Sequence, residues 1–406
     1  MRFQRDKFAV GLLFGALLVP VTLHAKTIPV AAGDSAQERL QEALILAEPG
    51  DTVELGKGIF KLTDGLSLAV NGVTLRGAGS GSDGSVLDFT GQLGAGEGLL
   101  VTGDDVLLTD FAVVNSKGDG IKSKGADRIV YYRLRVEWLA GPKETNGAYG
   151  IYPVEASDIL VDSVFVRGAS DAGIYVGQSR NIIVRDSIAM ENVAGIEIEN
   201  SFNADVTGNI ATKNTGGVLV FDLPNLPQMG GHSVRVYENI IQNNMTPNFA
   251  PKGNIVASVP TGTGVLVMAN RDVHVFDNVI DEHGTANVMV IGYRYPFEDA
   301  KYDPLPRNVA VYGNQHGRAG FAPKMDGGPE LAAALGGNLP PFLWDGSGSG
   351  IVFGDEVGGV SLGLADPKAG VAAARPAPVT PVEDAAGSLP PIKAVVLPEA
   401  MEAKVR

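Results

Sequence analysis

Residues 149–222 read YGIYPVEASDILVDSVFVRGAS (149–170), DAGIYVGQSRNIIVRDSIAMENV (171–193), AGIEIENSFNADVTGNIATKNT (194–215) and GGVLVFD (216–222). Each segment restates the one before it. A Gly-Ile/Val pair recurs at Gly150-Ile151, Gly173-Ile174, Gly195-Ile196 and Gly217-Val218, in steps of 23, 22 and 22 residues. A fixed period near 22 with alternating apolar residues inside it predicts a parallel β-helix, in which each repeat is one coil of short strands. No coil buries its apolar side alone, so coils stack. Alternation sends Ile174 and Val176, Ile196 and Ile198, Val218 and Val220, and Val265 and Val267 inward, and their neighbours outward.

The corners are equally regular. Seven residues after each repeated Ile or Val stands a turn residue: Arg128, Asp158, Asn181, Asn203 and Asp272. Further columns hold Ser187, Asn209, Asn239, Asn278 and Asn314, then Asn192, Asn214, Asn244 and His283. Asn tolerates left-handed backbone and stacks into hydrogen-bonded ladders, so these columns read as structural.

These repeats resemble the carbohydrate-binding and sugar-hydrolase type of β-helix repeat within the pectin-lyase-like superfamily, over residues 51–317. Uncharacterised secreted β-helix repeat proteins and NosD-type periplasmic proteins are the nearest likenesses. The resemblance implies an all-β, single-stranded, right-handed parallel β-helix of about ten coils. For function it leaves lyase, hydrolase, epimerase and accessory roles open. The D-P-H-D motif of the mannuronan epimerases is missing, since Tyr149-Gly-Ile-Tyr-Pro-Val lacks the acid and the His. No polygalacturonase-like carboxylate set is apparent either.

The remaining sequence frames this solenoid. Arg2, Arg5 and Lys7 precede an apolar run from Phe8 to Val21. Residues 1–25 therefore read as a secretory signal, and the protein as periplasmic or secreted. Residues 26–50 read as an N-terminal cap, with a helix over 36–47 opened by a Ser35-Ala-Gln-Glu38 capping box. Residues 318–365 read as a C-terminal packing segment, and the Ala- and Pro-rich residues 366–406 as a largely disordered tail. The chain has no Cys, which excludes disulfides, thiolate metal sites and Cys nucleophiles. Its net charge is −14; without residues 1–25, 29 basic residues face 45 acidic ones. That argues against nucleic acid.

Insertions near 139–148, 223–232, 245–262 and 292–306 break the period, and insertions in solenoids map to loops on the binding side. The outward positions beside them run Lys122 and Lys124, Tyr152, Tyr175, then Glu197 and Glu199. Together they form a polar strip on the order of 20 Å long, the span of a few sugars. Glu197 and Glu199 are candidate acid and base, with Asp222 a third carboxylate. Tyr152 and Tyr175 offer stacking faces or a phenolic proton carrier. Lys122, Lys124 and Arg180 are candidates to neutralise a uronate, and Gln178 borders the strip. His232, in the insertion, is a candidate general base. The bland alternative is a solvated strand face of mixed charge, with Asp119 a turn residue. No metal-ligand motif is present; Ca2+ on Glu197 and Glu199 is the one cofactor left open.

Polysaccharide is thus the expected partner, bound or modified along the strip by lyase, epimerase or hydrolase chemistry. The alternative is a non-catalytic periplasmic scaffold or accessory protein. Further along, Leu219, Phe221, Leu266, Met268, Met289 and Ile291 form an outward apolar patch. It calls for cover by an insertion, by residues 321–345 with Phe342 and Trp344, or by a partner protein.

Overall fold

The computed structural model describes residues 25–94 and 96–406; the expected signal lies outside them, apart from Ala25. Each turn of the chain lays down three short strands. Successive turns stack them into three sheets of 12, 12 and 10 strands, paired in parallel almost throughout. The first sheet carries Tyr149–Val154, Ala172–Gly177, Ala194–Glu199 and Gly216–Phe221. The second carries Ser157–Asp162, Arg180–Arg185 and Phe202–Thr207, and the third Phe165–Arg167, Ile188–Met190 and Ile210–Thr212. The register follows the repeat: Ile174 lies beside Ile196, Ile196 beside Val218, and Val218 beside Val265. All four are fully buried in one continuous interior.

Corners and ladders explain why the chain turns where it does. Arg128, Asp158, Asn181, Asn203 and Asp272 all adopt positive φ, between 51° and 59°, a conformation that Asn and Asp accept at the least cost. Inside the third corner, Asn192 donates to Asn214, Asn214 to Asn244, and Asn244 contacts His283 Nε2, each at 2.9–3.0 Å. Asn209, Asn239, Asn278 and Asn314 form a second ladder. These amides also pair buried backbone groups: Asn214 Oδ1 accepts from the Asn192 N–H, and Asn214 Nδ2 donates to the Ala189 carbonyl. Asn214→Ala is therefore expected to destabilise the fold by about 1–3 kcal/mol, the cost of stranding buried polar groups. Urea denaturation measures it; an unchanged midpoint would contradict the ladder's role.

Both ends of the solenoid are closed. At the N-terminus, Thr27–Val30 adds a strand to the first turn, and helix α1, Ala36–Leu46, lays Leu40 and Leu44 over the open interior. The expected capping box does not form: Ser35 is left-handed and its side chain caps nothing. Apolar burial holds this helix. At the C-terminus the stack runs beyond residue 317. Phe342 continues the Ile/Val column past Val288 and stacks on Phe353 at 4.4 Å, sealing the interior.

Part of the segment 366–406, expected as a largely disordered tail, packs on the solenoid. Leu397 and Met401 are buried against Val130, Leu160 and Ile183 on the outside of the second sheet. Arg185 holds Glu402 with two hydrogen bonds of 3.1 and 2.8 Å. Composition hid the Val395, Leu397 and Met401 contacts among Ala and Pro.

Candidate functional site

The outward positions of the first sheet fall into register as the repeat dictates. Tyr175 lies beside Glu197 and Glu197 beside Leu219; Gly177 lies beside Glu199 and Glu199 beside Phe221. Gly177 matters here. A Cβ at this position would stand 2.4 Å from the Tyr175 ring, closer than any real contact. Its absence lets the ring lean along the sheet, so that the Tyr175 hydroxyl donates to Glu199 Oε1 at 2.7 Å. Tyr149, Tyr152 and Tyr175 form a mutual cluster with ring centroids 4.4–5.0 Å apart. Tyr149 fits because its column continues as Ala172, then Ala194 and Gly216.

This is not the solvated strip that alternation alone describes. Glu197 is 1% exposed and Glu199 7%. The 245–262 insertion folds back over the sheet: Asn254 donates to Asp171 Oδ2 at 2.9 Å, and Val256 and Val259 pack with Ala172 and Leu219. The 292–306 insertion closes the other side, where the Tyr302 hydroxyl donates to the Asp222 carbonyl at 2.5 Å. Beneath this cover, neither carboxyl oxygen of Glu197 has a hydrogen-bond partner.

Burial sets the protonation of the cluster. It pushes the Glu197 carboxyl well above its usual range, with the Glu199 and Asp171 charges adding to the rise. Glu199 is pushed up to about 7 by burial, against the Tyr175 hydrogen bond, which favours its charged form. Asp171 also rises to about 7 through burial, opposed by Asn254 and Tyr149. Burial therefore favours the protonated form of all three acids. Tyr152, half-buried, forms the outer end. Lys122 Nζ sits 4.7 Å from its ring centroid and pairs with Glu97 at 3.1 Å and Asp119 at 3.7 Å. Asp119 rises to about 6, chiefly through burial.

Lys122, Tyr152, Tyr175, Glu197 and Glu199 thus come together along one sheet, and Gln178 turns the adjacent corner with φ 52°. Other expected members lie elsewhere. Lys124 is exposed and pairs with Glu155. Arg180 has already turned into the second sheet, where it donates to Ser157 Oγ. His232 opens a second-sheet strand and stacks on Phe202 at 4.5 Å, so it does not reach the strip as a base. Asp222 accepts from the Gly230 and Gly231 N–H groups and shapes the 223–231 loop. Among the described residues, no group of three or more His, Asp or Glu is arranged to hold a metal ion. Asp171, Tyr149 and Asn254 join the site unannounced. Tyr149 carried a signal, a large residue in a column that continues as Ala, Ala and Gly; Asn254 carried none, because it reaches the site through an insertion.

The apolar patch is not free for a partner protein. Leu219, Phe221, Leu266 and Met268 are buried by this chain's own insertions and by helix α2, Gly328–Ala334. Leu343 extends the patch, whereas Phe342 points inward, contrary to expectation.

Residues 71–228 match the family model described as right handed beta helix region. No curated protein matches the chain. Among solved structures, it is similar to the A-module of an Azotobacter vinelandii mannuronan C-5 epimerase, with TM-score 0.50 and 15% identity, covering 79% of this chain and 90% of that one. It is also similar to a Yersinia enterocolitica family 28 exopolygalacturonase, with TM-score 0.51 and 10% identity, covering 82% of this chain and 72% of that one. The DFA-IIIase of Arthrobacter chlorophenolicus gives TM-score 0.50 at 11% identity, over 84% and 86%. With the stacked register and three-sheet coil, these likenesses show that the chain has the right-handed parallel β-helix fold.

Proposed function

We propose that this protein binds a polysaccharide and carries out acid–base chemistry on it at the Tyr175–Glu197–Glu199 cluster. One observation carries the reading: Glu197 is a buried carboxyl without a hydrogen-bond partner, next to a second proton-holding carboxyl that a tyrosine links towards the surface. Such a group weakens a fold, and groups of this kind concentrate at functional sites. The sugar contacts Tyr152, Tyr149 and Lys122 at the open end. Tyr175 then relays a proton between the sugar and Glu199, with Glu197 holding a further proton behind it. The similar folds of a mannuronan C-5 epimerase and an exopolygalacturonase make polysaccharide the class to test first.

Lys122 is already paired with two carboxylates and Lys124 with one. Little free positive charge remains for a uronate, so a neutral glycan and proton donation to a glycosidic oxygen are favoured over lyase or epimerase chemistry. The basic and then apolar run over residues 1–25 supports action in the periplasm or outside the cell.

A panel of neutral and uronate polysaccharides tests the proposal, scored for binding, new reducing ends and unsaturated products. Tyr152→Ala is expected to weaken binding of the glycan that scores by about 1–3 kcal/mol, as for loss of an aromatic anchor. If no glycan binds, the non-catalytic accessory role replaces this reading.

A further inference from the structure

We infer that this protein carries a second ligand site, a cleft that takes the hydrocarbon chain of a fatty-acid-like amphiphile with its carboxylate at the rim. The cleft encloses about 630 Å³, within the range of small-molecule sites. Its floor is Leu266, Met268, Met289 and Ile291 with Phe221, so it lies further along the first sheet than Glu197 and Glu199. Phe221 of that floor lies beside Glu199, so the cleft adjoins the acid cluster but contains neither Glu197 nor Glu199. The proposal therefore does not depend on the acid–base reading. Four of the chain's eight methionines line it, and their unbranched, polarisable side chains adapt to a flexible chain.

The rim selects the head group. Arg294 and Lys324 are exposed there and belong to none of the ion pairs among the described residues, in a chain of net charge −14. Asp326 is the exposed acid on the rim. Asp345 is buried, and its carboxylate accepts from the Gly292 and Ser347 N–H groups. The two rim cations outnumber the one exposed acid, and a guanidinium fork matches a carboxylate. An apolar interior with a cationic rim fits one alkyl chain carrying one negative charge.

Calorimetry on the full chain tests this with octanoate, decanoate, dodecanoate and decyltrimethylammonium, each below its micelle concentration. Affinity for the carboxylates is expected to rise roughly tenfold for each two methylenes added. Decyltrimethylammonium is expected to bind at least about tenfold more weakly than decanoate, and Arg294→Ala with Lys324→Ala to weaken decanoate by about ten- to a hundredfold. Met289→Trp, which fills the floor, is expected to abolish binding. Affinity independent of chain length would overturn the proposal, as would equal affinity for the cationic probe. The chain-length series uses the unaltered protein, so it decides the matter even if Met289→Trp fails to fold.

Discussion

Glu197→Gln is expected to melt at a higher temperature than the parent at pH 8, and to lower turnover in the acid–base chemistry proposed for the cluster. Both effects come from one carboxyl. Its ordinary value is 4.5, and burial raises it in the folded state. Below pH 4.5 the folded and unfolded chains both keep the proton, and nothing is lost. As pH rises, the unfolded chain releases it while the folded chain does not. Stability then falls by about 1.4 kcal/mol per pH unit for as long as the folded carboxyl stays protonated. Gln has no such proton, so the variant escapes this loss. Its advantage should grow as pH rises towards 8 and vanish at pH 4. Asp171 and Glu199, raised to about 7, give the parent further losses of the same sign between roughly pH 4 and 7. Thermal melts at pH 4, 6 and 8 read all of this. A variant less stable than the parent at pH 8 would mean that the fold stabilises an ionised Glu197.

Ile196→Ala is expected to cost about 2–5 kcal/mol, through lost burial and the cavity left behind. The residue is fully buried between Ile174 and Val218. Parallel strands hold those neighbours at fixed spacing, so the site cannot collapse to fill the gap. The next residue along the strand is Glu197, on the outer side. A register slip of one would drive that carboxyl into the apolar interior. The core column thus fixes the height and side of the catalytic candidates. Urea denaturation with an unchanged slope measures the effect; a loss below about 0.5 kcal/mol, the size of a surface change, would refute the column.

The fold was legible because its physics is local and repeated. Ile151, Ile174, Ile196 and Val218 recur at one step, and the corner residues recur with them, so one coil implies the rest. The rows of the site were legible for the same reason: Tyr175, Glu197 and Glu199 follow from alternation. Their surroundings were not. Whether an outward residue meets water depends on insertions that obey no period, and the 245–262 segment turned an expected solvated strip into a buried cluster. Arg180 and His232 were misplaced because the sequence marks the corner only to within a few residues, and a corner separates one sheet from the next. The packing of Leu397 and Met401 on the second sheet was not legible, because composition alone does not show where a terminal segment docks.

The most direct test of a protonated Glu197 is the infrared difference spectrum between the parent and Glu197→Gln at pH 7. The parent should show the carbonyl stretch of a protonated carboxylic acid that the variant lacks. If the difference contains only carboxylate bands, Glu197 is ionised at neutral pH, and the proton-holding role assigned to it is wrong.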